Sequence, residues 1–304
     1  MNKLLASVTL LSVALIAFQL VLMQILSIVQ WYHFAYMVIS VALLGFGASG
    51  SLIALAREWL LKREEYLLPL LMTLCGAAMA VAVRVSQSDA IRFDSYLLFV
   101  EGGQVRRLVL TYLTFFVPFF VGALALGLIF VRHVDRIGSV YFANLVGSGA
   151  GGLIALALLW LFMPQQLPSL VALLPIAAAL FIIPSRQRSL LVLMAAVIAA
   201  LAFYCIASSP QLNISDYKSI RRTLNLPDAK VVFERSSPHG LVQVVSSPAL
   251  RYAPGLSLTY KDSVPSCAIV FNNGDWFGPL VAATVGVQVL RSTTLSLPYM
   301  LKPR

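Results

Sequence analysis

Five stretches free of Asp, Glu, Lys and Arg set the pattern of the chain: residues 4–56, 66–83, 108–131, 137–185 and 189–215. Their lengths are 53, 18, 24, 49 and 27 residues. A helix crossing a bilayer needs ~20 apolar residues. The first stretch therefore holds two helices, parted at Gln30-Trp31-Tyr32-His33, a polar-aromatic cluster suited to the headgroup level. The fourth also divides in two, at Met163-Pro164-Gln165-Gln166-Leu167-Pro168. The pattern predicts an all-α polytopic membrane bundle of about seven transmembrane helices over residues 1–207, with the 18-residue stretch as its shortest span. The first stretch is too long for a cleaved signal peptide, and no small-residue cleavage site precedes its polar break.

The pattern changes after residue 207. Ser215–Leu226 predicts a short amphipathic helix ended by Pro227, with Tyr217, Ile220 and Leu224 on one face and Lys218, Arg221 and Arg222 elsewhere. Residues 229–235 and 241–246 predict two strands around a turn at Ser236-Ser237-Pro238-His239-Gly240. Residues 268–271 predict a third strand, and Asn272-Asn273-Gly274-Asp275 carries the Asn-Gly hairpin signature. Residues 208–304 thus form a small, soluble, β-rich region.

Composition agrees with this division. Of the 304 residues, 60% are hydrophobic and 11% charged, against roughly 25% charged in ordinary soluble domains. That excludes a disordered chain, a coiled coil and a disulfide scaffold, and it argues against a wholly soluble enzyme. The net charge of +10 fits loop cations against anionic lipid and does not require nucleic acid. Basic residues leave the orientation open. Lys3, Arg57, Lys62, Arg63, Arg132, Arg136, Arg186 and Arg188 fall on one side, and Arg84, Arg92, Arg106, Arg107, Lys218, Arg221 and Arg222 on the other. Cys75, Cys205 and Cys267 have neither metal nor disulfide spacing and are expected as buried thiols.

Polar residues within the apolar stretches are the candidates there. His33 offers a gate or ligand contact, set against an aromatic belt. Gln19, Gln24 and Gln30 need hydrogen-bond partners in lipid, on other helices or in a polar cavity. Tyr141 and Asn144 are placed to bond across the bundle. Gly45/Ser49, Gly47/Ser51 and the Gly147–Gly152 run suit close helix packing. Charge deep within the spans is lacking, which counts against an ion-coupled transporter.

The tail also carries a family resemblance. Tyr217-Lys218-Ser219, then Ser237-Pro238-His239-Gly240-Leu241-Val242-Gln243-Val244-Val245, Arg251-Tyr252-Ala253-Pro254-Gly255-Leu256-Ser257-Leu258 and Asn273-Gly274-Asp275 follow in an order that resembles the N-terminal β region of spermidine synthase-like proteins, the polyamine aminopropyltransferases. Trp31–Met37 running into Leu43-Leu44-Gly45-Phe46-Gly47, together with Gly138–Gly147, resembles the bacterial members that carry an N-terminal multi-span domain. The resemblance implies a β lid and substrate platform. Chemistry would belong to a following Rossmann-like domain, where a Gly-rich turn binds decarboxylated S-adenosylmethionine and acids accept the proton of the attacking amine.

By this resemblance Tyr217, His239 and Asp275 are candidate substrate contacts, a polyamine is the implied substrate, and the bacterial cytoplasmic membrane is the implied location. No catalytic, cofactor-binding or metal-binding residue is assigned within the chain. Two departures stand out: His239-Gly240 replaces the family's Tyr-Gln pair, whose Gln serves the cofactor, and Asn273 replaces the first acid of an Asp-Gly-Asp-like turn. The segment Ser296–Arg304 resembles the approach to the first nucleotide-binding strand. The chain is therefore expected to be the membrane and lid part of such a transferase, truncated or encoded apart from its catalytic domain, and inactive alone. Two other readings stay open: a transport module for a small cationic or amphipathic solute, and a structural anchor that recruits a soluble partner.

Overall fold

The computed structural model describes residues 1–184, 188–281 and 288–301. Arg186 of the orientation count and the closing Lys302-Pro303-Arg304 lie outside these residues. The chain divides into two compact units, Met1–Asn213 and Ile214–Arg304.

The first unit is helical: α1 (Asn2–Val29), α2 (Ala35–Lys62), α3 (Glu64–Ser86), α4 (Gly102–Arg132), α5 (Ile137–Leu161), α6 (Leu167–Val171), α7 (Leu173–Ile182) and α8 (Arg188–Ala207). Seven of its segments are long and apolar enough to cross a membrane. The break after α1 falls where the polar cluster predicts it. Gln30 turns extended, and Tyr32–Phe34 make one 3-10 turn before α2. The shortest predicted span is a full helix of 23 residues, opened by Glu64 and Glu65 and closed near Arg84, charges that complement the helix dipole.

The sixth span departs from a single helix. Pro164, Pro168 and Pro175 divide it into a 3-10 turn, α6 and α7, because each proline lacks the N–H that a continuous helix would use.

α1 forms the centre. Leu11, Phe18, Val21, Leu22 and Ile25 are fully buried, and the helix packs against α5, α7 and α2. Phe18 meets Phe119 of α4 with ring centroids 5.5 Å apart. Small residues set the closest approaches. A Cβ built at Gly147 would lie 2.5 Å from the Thr9 carbonyl oxygen, and one at Gly151 2.6 Å from that of Val13. The predicted packing of this glycine run thus applies to Gly147 and Gly151, which share a face. Gly149 and Gly152 have open space beside them. On α2, Gly45 packs on Phe119 and Phe120 and Ser49 is buried, whereas Gly47 and Ser51 are exposed and a Cβ at Gly47 would meet nothing within 4 Å.

In the second unit a short helix, α9 (Ser219–Leu224), precedes an antiparallel sheet of β1 (Lys230–Ser237), β2 (Gly240–Arg251), β3 (Ser266–Asn272) and β4 (Asp275–Leu280), in the order β1-β2-β3-β4. Alternation sends Val245 of β2 and Cys267, Ile269 and Phe271 of β3 to one face, where Ile220 and Leu250 complete the core. The predicted Ser215–Leu226 helix is shorter at both ends. Lys218 is extended because its side chain reaches beneath the β3–β4 turn, and the Ile220 amide donates to the Gly274 carbonyl at 3.1 Å. Tyr217, expected on the buried face with Ile220, is 41% exposed.

Candidate functional site

The antiparallel order brings both tight turns to the same end of the sheet. Pro238-His239 join β1 to β2 between the paired Ser237 and Gly240, and Asn273-Gly274 join β3 to β4 between the paired Asn272 and Asp275. Asn273 and Gly274 both have positive φ, 52° and 78°, as a hairpin turn matched to strand twist requires. The tips are tied together. The Leu241 amide donates to Asn273 Oδ1 at 2.8 Å, the Asn273 amide donates to the Leu241 carbonyl at 2.9 Å, and Asn272 Nδ2 donates to the His239 carbonyl at 3.3 Å. Gly240 has φ 142°, and a Cβ there would collide with the Asn272 side chain.

Beneath this end lies Lys218, with its side chain only 1% exposed. Its Nζ donates to the Asn273 carbonyl at 2.6 Å and to Asp275 Oδ2 at 3.2 Å. Burial pushes the ammonium below the usual lysine value, and the Asp275 charge and hydrogen bond pull the other way. Burial is the stronger effect.

Two of the three candidate substrate contacts therefore belong to the tips, His239 at the exposed β1–β2 turn and Asp275 at the start of β4. Tyr217 adjoins them through its neighbour Lys218. Lys218 itself was expected on the solvent side of an amphipathic helix, and the structure places it inside. The one hint in the sequence is its position between Tyr217 and Ile220, within the Tyr-Lys-Ser triplet. Asp275 already pairs with a buried ammonium at 3.2 Å, so one of its oxygens is engaged before any cationic amine arrives.

The candidates of the helical unit do not converge. Asn144 Oδ1 accepts a 2.8 Å hydrogen bond from Ser12, and Thr9 Oγ1 donates to the Ala143 carbonyl at 3.3 Å, both between α1 and α5. Tyr141, one turn earlier on α5, is exposed and takes no part in this contact. His33 lies beyond the opposite end of α1, stacked on Tyr32 with centroids 3.9 Å apart and beside Trp31, which meets Tyr96 edge-on. Gln24 is half-buried on α1. Gln30 is buried, but it serves the 93–95 loop rather than another helix: its Nε2 donates to the Phe93 carbonyl at 2.6 Å, and its Oε1 accepts from the Ser95 amide at 3.1 Å. Gln104 repeats the device, accepting from the Asp94 amide at 2.9 Å and donating to Glu101 at 2.9 Å.

Sequence reasoning missed Gln104 and also Arg84, which bonds the Ser208 carbonyl at the end of α8 and lies over the Tyr204 ring. The sequence marks Arg84 only as the cation that bounds the 66–83 stretch, and its partners lie more than 100 residues away. Cys75, Cys205 and Cys267 are free and buried. Among the described residues no three His, Cys, Asp or Glu side chains gather where they could share a metal ion.

Compared with known proteins, the chain matches no family model, no curated protein and no solved structure.

At Gly240 the tips offer decarboxylated S-adenosylmethionine no side chain. Gly240 stands where the resembled family uses an amide side chain, and its backbone angle and the adjacent Asn272 exclude even a Cβ. Gly240 itself can therefore offer a cofactor only backbone atoms.

Proposed function

We propose that the chain is the membrane domain and β lid of a spermidine synthase-like protein. In this reading the seven apolar segments hold the first unit in a bilayer, and the tip end of the sheet faces the amine substrate of a Rossmann-like catalytic domain. The observation that carries the reading is the meeting of its motifs. Tyr217-Lys218-Ser219, Pro238-His239-Gly240 and Asn273-Gly274-Asp275 are separated by up to 58 residues, yet they join at one end of one sheet through hydrogen bonds between the segments. The seven segments support the bilayer part, since so much outward apolar surface is stable only against lipid.

Asn272 and Asn273 tie the two turns together, Lys218 and Asp275 brace the β3–β4 turn, and His239 is the exposed side chain at the apex. With Asp275 occupied by Lys218 and no cofactor fit at Gly240, this chain alone transfers no aminopropyl group. A photoreactive spermidine analogue tests the placement. Crosslinks are expected on the exposed Tyr217, His239, Asp275 and Trp276, weakened by His239→Ala. Crosslinks confined to residues 1–213, or none, contradict the assignment. Turnover of putrescine by the purified chain with decarboxylated S-adenosylmethionine would contradict the predicted inactivity.

A further inference from the structure

A groove of about 490 Å³ runs along the outside of the helical unit between the first halves of α1 and α5. That volume falls within the roughly 300–1,000 Å³ of small-molecule sites. Leu5 and Thr9 form one wall and Phe142 and Val146 the other. Phe142 is 67% exposed and Val146 46%, so the groove opens sideways over most of its length onto the apolar exterior.

Its two ends differ. α1 and α5 run parallel: Thr9 meets Ala143, Ser12 meets Asn144, and Val13 meets Gly151 further along. Their N-termini therefore share one end, where Gly138 and Ser139 line the groove. Lys3 precedes α1's wall residues, and Arg136 directly precedes α5. Both are exposed, and among the described residues neither forms an ion pair. Asp135 is the acid next in sequence, which leaves the mouth net basic. The first turn of α5 holds no acidic residue, so the positive end of the helix dipole adds to the charge. An apolar slot, open to the side, with Lys3 and Arg136 each two residues before its first wall residues Leu5 and Gly138, is complementary to an acyl chain beneath an anionic headgroup.

We propose that this groove binds one acyl chain of an anionic phospholipid, with its phosphate held by Lys3, Arg136 and the first turn of α5. This rests on the bilayer placement of the first unit proposed above. The test is native mass spectrometry of the full chain in detergent, supplied with phosphatidylglycerol or phosphatidylcholine of identical chains. Phosphatidylglycerol is expected to be retained several-fold more. The Lys3→Gln/Arg136→Gln double variant should abolish that preference while leaving helicity unchanged.

Gly138→Phe should lower occupancy by both lipids; a Cβ at Gly138 meets nothing within 4 Å, so the fold has room for it. Val146→Trp, at an exposed wall position, is the second blocking variant. Equal retention of the two lipids, a preference that survives the double variant, or occupancy unchanged by both blocking variants overturns the site. A chain that stays in solution without detergent would instead overturn the bilayer placement. A chain that needs detergent yet is indifferent to headgroup overturns the lipid site alone.

Discussion

Lys218 carries a conflict within the second unit: a cation with almost no exposure whose ammonium bonds the Asn273 carbonyl and the half-exposed Asp275 carboxylate. Removing only the carboxylate takes the Asp275 counter-ion from that buried charge, whereas removing the charge also removes the cost of burying it. Asp275→Asn is therefore expected to destabilise the sheet more than Lys218→Met. Pulse proteolysis of the tail in urea, with the full chain in detergent, measures both, and the reverse order contradicts the account.

The pH dependence follows from the same burial. Because the folded-state value of Lys218 is lowered, the unfolded chain holds more protons between that value and the ordinary ~10.4, so stability rises with pH in that window. Cys267 works against it. Burial raises its thiol despite Arg251, so the folded chain keeps that proton longer and stability falls as pH rises above the thiol's ordinary range of ~8.5. In a Cys267→Ala background the tail should thus resist urea better as pH approaches 10, and a flat or falling resistance contradicts the Lys218 assignment.

Gly240 makes the third residue-scale case. Gly240→Ala meets Asn272 at a positive φ and should cost at least about 1 kcal/mol by the same assay.

At the scale of elements, helix packing is decided by which glycine faces a neighbour. Gly147→Ala presses on the backbone of α1 and should destabilise by about 1–3 kcal/mol, while Gly149→Ala, beside open space, should be neutral or better. Thermal unfolding in detergent separates the two, and equal effects would contradict the α1–α5 interface.

The existence of these elements was legible because lipid-length apolar runs and the Asn-Gly turn are local signals. The break at Gln30 was legible for the same reason. The division of the sixth span into α6 and α7 was marked by its prolines, but whether prolines kink or end a helix depends on what packs around them. The face chosen by Gly147 over Gly149, and the extended Lys218 that shortens α9, are set by partners more than 50 residues away, which no local pattern encodes. The same limit explains the site. The tips' residues were nameable one by one, but their meeting is a product of strand order.

For the whole molecule, the central claim is seven crossings followed by a β unit. An odd number of crossings fixes relative sides without fixing orientation. The α3–α4 loop and the tail then share one side, and the α4–α5 turn lies on the other. The native cysteines are all buried and give a quiet background. Single-cysteine substitutions Asp89→Cys, Asp135→Cys and Thr259→Cys place an exposed thiol in each region. Labelling in intact cells with a membrane-impermeant thiol reagent is the most direct test. The account predicts that positions 89 and 259 respond alike and position 135 oppositely, and three positions that all label, or an 89 that parts from 259, would contradict it.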